Sequence, residues 1–438
     1  MNILSFDYGT SSLKTALLDS DLKVVASATV PYRFDVENND WVTLREEVLW
    51  EALRQGILEL GDTSRVGLIV YDAFSPSIVL MDEEGNAQYP VITHLDRRAK
   101  EQSRQIQRNM GAKAFQSVTG LLPFTGGASV TTMMWFAQNR PDLYRKVTKI
   151  GPLCTWVYQK LTGVFATDPV NASQTGGYET ITDRGWSESI LRDIGLVVEK
   201  LPPVHQAGTV LGTLTDSAAQ WIGLKAGIPV ALGSNDAAMA QVGAGNNQPG
   251  DILNIAGSSE MVSVLTNKPI VHERYYLRKA AQPGLWQFYA TTIGGFALDW
   301  MKAQMFSEMA HHAFYDELIP SLLKRDPFSG SVRFLPYLAG DRQSIQKKRG
   351  AFHGMTLDTT REDLLFAVLQ GINGPIRDTI ALSARNLEIN PCLKITGGLT
   401  RTEGYCEFKT KLFKVNDYQV MDNCTIIGNA LLAYALQK

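Results

Sequence analysis

Two segments of this chain share one form. ILSFDYGTSSLKTAL, beginning at Ile3, and LNIAGSSEMVSVL, beginning at Leu253, each read as an apolar strand, a glycine, two or three hydroxyl residues and a second apolar strand. A chain of 438 residues exceeds what one hydrophobic core usually serves. One such hairpin in each half therefore fits a duplicated, two-domain α/β architecture. Two unrelated hairpins with ordinary turns fit these residues as well, so position and surroundings have to decide between them.

Composition narrows the classes. With 45% hydrophobic and 20% charged residues the chain reads as globular. A formal net charge of -2 supplies no basic field for nucleic acid, which is therefore not an expected partner. No apolar run has bilayer-spanning length, so no membrane partner is expected either. Asp7 interrupts the first apolar run before a signal-peptide core could form. The four cysteines, Cys154, Cys392, Cys406 and Cys424, lack CxxC spacing and read as reduced thiols in a cytoplasmic protein.

Along the chain, residues 2–8, 13–19 and 22–30 are strand-like, and Thr43 with Glu46 has the spacing of a capping box ahead of a helix. Strands are expected near 66–71 and 78–81, then helices at 96–109, 130–138 and 152–161, the last ended by Gly163. A short strand at 229–233 leads into a helix starting near Asp236, and a helix is expected at 402–412. AGNNQPG, residues 244–250, packs turn formers between regular segments and is the candidate domain boundary. Trp135, Trp156 and Trp300 have the spacing of core residues, and His311 and His312 that of a surface pair.

A turn of glycine and hydroxyl residues between strands aims backbone N–H groups and hydroxyls into one concavity, which suits phosphate oxygens. Asp7, at the end of the strand, sharpens that reading, because a carboxylate beside a phosphate cradle calls for a cation such as Mg²⁺, held directly or through water. A turn-capping carboxylate is the competing reading. Neither a Walker A motif nor GxGxxG follows the strand, which disfavours P-loop and Rossmann nucleotide binding.

DYGTSSLK, SVTTMMWFAQNRPDLY (129–144) and GAFHGMTLDTTREDLLFAVLQ (350–370) together resemble the FGGY carbohydrate kinases, a branch of the superfamily that includes actin. ATDPVNAS, LPPVHQAGTVLGTLT and GLKAGIPVALGSNDAAMAQVGAG follow that family in order between the two longer motifs, so the resemblance spans nearly the whole chain. Thr132 stands where the family usually has a lysine.

The resemblance implies a duplicated actin-like, ribonuclease H-like fold with an active-site cleft between an N-terminal domain at 1–244 and a C-terminal one at 245–438. It implies transfer of phosphate from ATP, with Mg²⁺, to a hydroxyl of a small sugar or polyol, ketoses and polyols being favoured, and it allows a homodimer. Asp236 of GSNDAAMA matches the family's catalytic base and would also touch the sugar; on local sequence alone it could equally cap a helix. Asp7 would hold the metal. Gly9, Thr10, Ser11, Ser12 and Lys14 would form the first phosphate motif, and Gly257 and Ser258 the second. Gly294 and Gly295 fall where backbone nears the nucleotide, and Gly397 and Gly398 resemble the adenosine motif, although the Gln and Asp usual in the following helix are not evident. Ordinary turn chemistry is the plainer reading for each glycine pair.

The sugar pocket departs most from the family. HLDRR places His94 where a Trp is usual while keeping Asp96 and Arg98, and FSPS brings Phe74 and Pro76 to positions that elsewhere carry a Met-His pair. Gly126 and Gly127 replace an aromatic found in other members. These departures motivate the alternative of a catalytically weak sugar or nucleotide sensor that retains the kinase fold.

Overall fold

The computed structural model describes residues 2–338, 340–341 and 348–435. The chain forms two compact units. The first comprises the chain up to Gly245, Arg278–Gly284 and the segment from Asn423 onward; the second comprises Asn246–Leu277 and Leu285–Asp422. Beyond a single cut near 244, two later segments thus pack with the first unit.

In the first unit Asn2–Tyr8 lies inside a seven-stranded sheet. It pairs antiparallel with Ser12–Leu18, which pairs with Val24–Pro31, and on its other side it runs parallel to Val66–Ala73. Pro229–Ala231 continues the parallel part of the sheet. Period-two alternation divides the faces. Leu4, Phe6, Tyr8, Ile69 and Tyr71 pack with Leu49, Leu53 and Ile57 of the Glu46–Glu59 helix and with Trp156. Ile3, Leu68 and Val70 pack instead with Ile426, Ala430 and Ala433 of the Cys424–Ala435 helix. Alternation therefore assigns Ser5, Asp7 and Asp72 to this second face, under the returning C-terminal helix.

That helix reaches its place by close backbone contact with Asp236–Gly243. A Cβ on Gly243 would lie 1.8 Å from the Cys424 carbonyl oxygen, and one on Gly428 would lie 1.9 Å from that of Met239. Only glycine lets the two backbones approach this far.

The second unit repeats the plan. Trp286–Ile293, Ser259–Thr266 and Ile252–Ala256 form an antiparallel meander, after which Cys392–Thr396 and Asp417–Val420 add in parallel. Each unit thus runs from a three-strand meander into parallel strands on the far side of the meander's first strand. This shared order supports duplication over two unrelated hairpins. The helix Arg361–Ser383 starts at a true capping box, with the Thr360 and Asp363 side chains each accepting the other residue's backbone N–H.

Several local expectations change. Thr43 caps nothing: it lies in the strand Trp41–Leu44, opposite Asp35 and Ile92, and the helix begins at Glu46 after Arg45. The helix expected from 96 begins at Lys100, because the Asp96 carboxylate is tied to the Val42 and Arg98 backbone N–H groups. The one expected from 402 begins at Tyr405. Gly163 does end its helix, in the left-handed conformation at φ 76°. Of the three tryptophans expected in the core, Trp156 is fully buried while Trp135 and Trp300 are half-buried, and His311 and His312 are exposed. Among the described residues no helix is long and apolar enough to cross a membrane.

Candidate active site

The first hairpin turn is closed by the Gly9 N–H donating to the Ser12 carbonyl at 3.0 Å. It is held from behind by Tyr32, whose hydroxyl donates to the Gly9 carbonyl and whose N–H donates to that of Ser11 at 3.0 Å. Thr10, Ser11 and Lys14 are exposed, and Gly9 and Ser12 are partly so. The Thr10 and Ser11 side chains are therefore exposed where an anion can reach them.

Behind the turn, strand register sets Asp7 directly beside Asp72. Asp7 is 6% exposed and Asp72 is fully buried. Thr425 donates to Asp7 Oδ2 at 2.9 Å, and Asn429 Nδ2 donates to Asp72 Oδ2 at 2.6 Å. The Oδ1 atoms of both carboxylates are buried without a hydrogen-bond partner among the described residues. Burial, then the adjacent Asp7, push the Asp72 carboxyl well above its ordinary range.

Asp236 is the first residue of its helix, and the cap is its neighbour: Asn235 Oδ1 accepts the Ala238 N–H at 3.1 Å. Asp236 is thus relieved of the capping role that local sequence allowed it. Its Oδ1 accepts from Asn235 Nδ2 and from the Ala237 N–H, both at 2.7 Å. Burial, then the charge of Asp7, push its carboxyl up to about 7, against the opposing pull of the Ala237 N–H and of Arg278. A carboxylate near that value is poised to take a proton at neutral pH.

The second unit gathers its glycines around the other turn. The Gly294 N–H donates to the Ser258 carbonyl at 3.0 Å, and the Gly295 N–H to that of Gly257 at 2.9 Å. A Cβ on Gly294 would lie 2.7 Å from the Gly257 carbonyl oxygen and the Glu260 nitrogen. Gly397, at φ 111°, sits so close that a Cβ would lie 2.4 Å from the Ala256 carbonyl oxygen, whereas the space beside Gly398 is open. Gly257, Ser258, Gly294, Gly295, Gly397 and Gly398 thus form one neighbourhood. Behind it Glu260 is paired with Lys409 at 2.7 Å, both side chains wholly buried. Tyr405 donates to the other Glu260 oxygen at 2.7 Å, and Asn254 Nδ2 donates to Oε2 at 3.0 Å.

Of the expected sugar-pocket residues, Phe74 follows two positions after Asp72, with its ring 5.5 Å from that of Phe34 and 6.1 Å from that of His94. Pro76 and His94 are half-buried. Asp96 is 1% exposed and its oxygens are spanned by Arg98, which is ringed by Trp41, Tyr89, Trp135 and Phe136. That pairing fixes the loop carrying His94 and leaves Asp96 little freedom to turn toward a ligand. The Phe124 ring occupies the space a side chain at Gly127 would take.

Sequence reasoning did not single out Asp72, Tyr32, Asn235 or Asn429. The available signal for Asp72 was a lone acid near the end of an otherwise apolar strand, VGLIVYDA. Asn235 directly precedes the proposed base, but its cap becomes visible only with the helix start.

The chain matches the FGGY family of carbohydrate kinases, its N-terminal domain over residues 2–243 and its C-terminal domain over 252–436. It is 24% identical over 405 residues to a xylulose kinase of Staphylococcus xylosus, covering 90% of this chain and 83% of that protein. It is 25% identical to an L-fuculokinase of Escherichia coli K12, covering 99% and 92%. Among solved structures, the xylulose kinase of Rhodospirillum rubrum superposes with a TM-score of 0.89 at 22% identity, covering 100% of this chain and 90% of that one. The gluconate kinase of Lactobacillus acidophilus superposes with a TM-score of 0.91 at 20% identity, covering 100% and 89%.

Proposed function

The chain belongs to the FGGY family of carbohydrate kinases, which phosphorylate sugars with ATP, and from that premise we propose that Asp236 is its catalytic base and that Asp7 anchors Mg²⁺ at the ATP phosphates. One observation carries the assignment: Asp236 has Oδ1 tied by two N–H donors, no capping duty, and a proton affinity raised to the neutral range. Its Oδ2 receives no hydrogen bond among the described residues and is the oxygen offered to a sugar hydroxyl.

The metal is supported by the unpartnered Oδ1 atoms of Asp7 and Asp72. Among the described residues no group of three or more His, Cys, Asp or Glu side chains is arranged to hold an ion. Mg²⁺ suits such a site, because it keeps several waters and takes only one or two carboxylates plus phosphate oxygens. When bound, it neutralises phosphate charge. The chain's own groups act on the nucleotide: the turn from Gly9 to Ser12 grips phosphate, Lys14 offsets developing charge, and Gly257 and Ser258 form the second unit's phosphate turn. Asp236 orients the hydroxyl and takes its proton as the phosphoryl group arrives.

The acceptor is a small sugar or polyol, with ketoses and polyols first, in line with the xylulose kinases among the similar proteins. A coupled ADP-release screen over pentoses, hexoses, their ketoses and polyols identifies it. With the acceptor in hand, Asp236→Ala is expected to lower kcat by about 10²–10⁴-fold while nucleotide binding changes little. Retention of most of kcat would refute the base. Sugar and nucleotide binding by the wild type without turnover would favour the sensor reading instead.

A further inference from the structure

The segment Arg278–Gly284 belongs to the first unit although the chain on both sides of it belongs to the second. Three anchors hold it there. The Lys279 N–H donates to Ser173 Oγ at 3.1 Å, and Lys279 Nζ pairs with Asp183 at 2.7 Å. Gln206 Nε2 donates to the Ala281 carbonyl at 2.6 Å, while the Ala281 side chain packs with Val170, Ala238 and Met239. So fastened, the segment delivers Arg278, 2% exposed, to the loop that carries Asp236.

Arg278 Nη1 donates to Asn235 Oδ1 at 2.9 Å, the same oxygen that accepts the Ala238 N–H. Two donors converging on one oxygen decide which way the amide faces. A flipped Asn235 would set its NH₂ group against a guanidinium and a backbone N–H. In the orientation so enforced, Nδ2 points to Asp236 Oδ1.

We propose that Arg278 is a positioning residue for phosphoryl transfer: by locking the Asn235 amide it keeps Asp236 Oδ1 tied and Oδ2 turned to the acceptor hydroxyl. This rests on Asp236 being the base. Small displacements of a reacting group are costly, so Arg278→Ala is expected to lower kcat by about 10- to 100-fold with the sugar KM changed less than about threefold. Arg278→Lys, which restores one donor to Asn235 Oδ1, recovers most of that loss. In an Asp236→Ala background Arg278→Ala adds no further loss, because the arginine acts through the aspartate. Arg54→Met, on the exposed side of the Glu46–Glu59 helix, keeps kcat near wild type. Should Arg278→Ala not fold, Asn235→Asp replaces it, since this variant still accepts from Arg278 but can no longer donate to Asp236, and an equal fall in kcat is expected. A kcat within about twofold of wild type in Arg278→Ala or Asn235→Asp overturns the proposal. So does a loss that Arg278→Lys does not restore, which marks the arginine as merely structural. Turnover surviving in Asp236→Ala sinks the base assignment, whereas an indifferent Arg278 in an Asp236-dependent enzyme sinks only this inference.

Discussion

The two hairpins take the same course through their sheets and differ in what lies behind them. Behind the second, Glu260 meets a buried lysine, a tyrosine hydroxyl and an asparagine amide, so its charge is balanced within the protein. Behind the first, Asp7 and Asp72 stand side by side, and the hydrogen bonds they accept from other residues come, among the described residues, from neutral Thr425 and Asn429. A balanced buried pair holds a scaffold in register. Unbalanced carboxylates at low dielectric are costly, and they make sense where a cation completes them. Of the two similar turns, one has its acid internally neutralised, and on the reading proposed above the other has its acids neutralised by a bound cation.

Breaking the balanced side has the largest expected effect. Lys409→Met strands Glu260 with no exposure to water, and a loss of about 3–5 kcal/mol in unfolding free energy is expected by denaturant titration. Lys409→Met combined with Glu260→Gln should recover much of it, because no charge is then left unpaired.

The unbalanced side is sharpened by pH. Asp236 must be ionised to act as a base, and its carboxyl sits near 7. The pH profile of kcat/KM should therefore fall about tenfold per unit below roughly pH 7 and level off above it. A profile flat down to pH 5 would remove this group from the reaction.

Asp72→Asn probes the same cluster through stability. Its folded-state proton affinity is raised, so the penalty for ionising it is absent below the unfolded carboxyl value of about 4 and grows as pH rises above that. The asparagine variant should match the wild type in thermal unfolding at pH 4 and melt higher at pH 8. A lower melting temperature at pH 8 would show that the carboxylate is stabilising as it stands.

Much of this site was written locally. Asp7, the turn from Gly9 to Ser12, Gly257 and Ser258 announce themselves because strand, glycine and hydroxyls are adjacent in the chain. Asp72 did not, because its partnership with Asp7 depends on the parallel register of two strands whose paired residues lie 65 positions apart (72 − 7). Asn429 and Thr425 were hidden by the return of the C-terminal helix to the first sheet, which rests on the Gly243 and Gly428 crossing. Arg278 was hidden because it lies in the strand Tyr276–Lys279, far in sequence from Asn235, which it meets only in the fold. The Thr43 capping box failed for a related reason: tertiary pairing of Thr43 with Asp35 and Ile92 overrode a local pattern.

The central claim is that the first turn's acids await a cation carried by the nucleotide, and calorimetric titration with the non-hydrolysable imido analogue of ATP tests it directly. In the wild type and in the Lys409→Met, Glu260→Gln pair, adding Mg²⁺ should tighten binding. In Asp7→Asn that gain should vanish while metal-free binding is preserved or improved, since an anion no longer meets a carboxylate. An Asp7→Asn protein whose affinity still rises with Mg²⁺ as in the wild type would contradict the account.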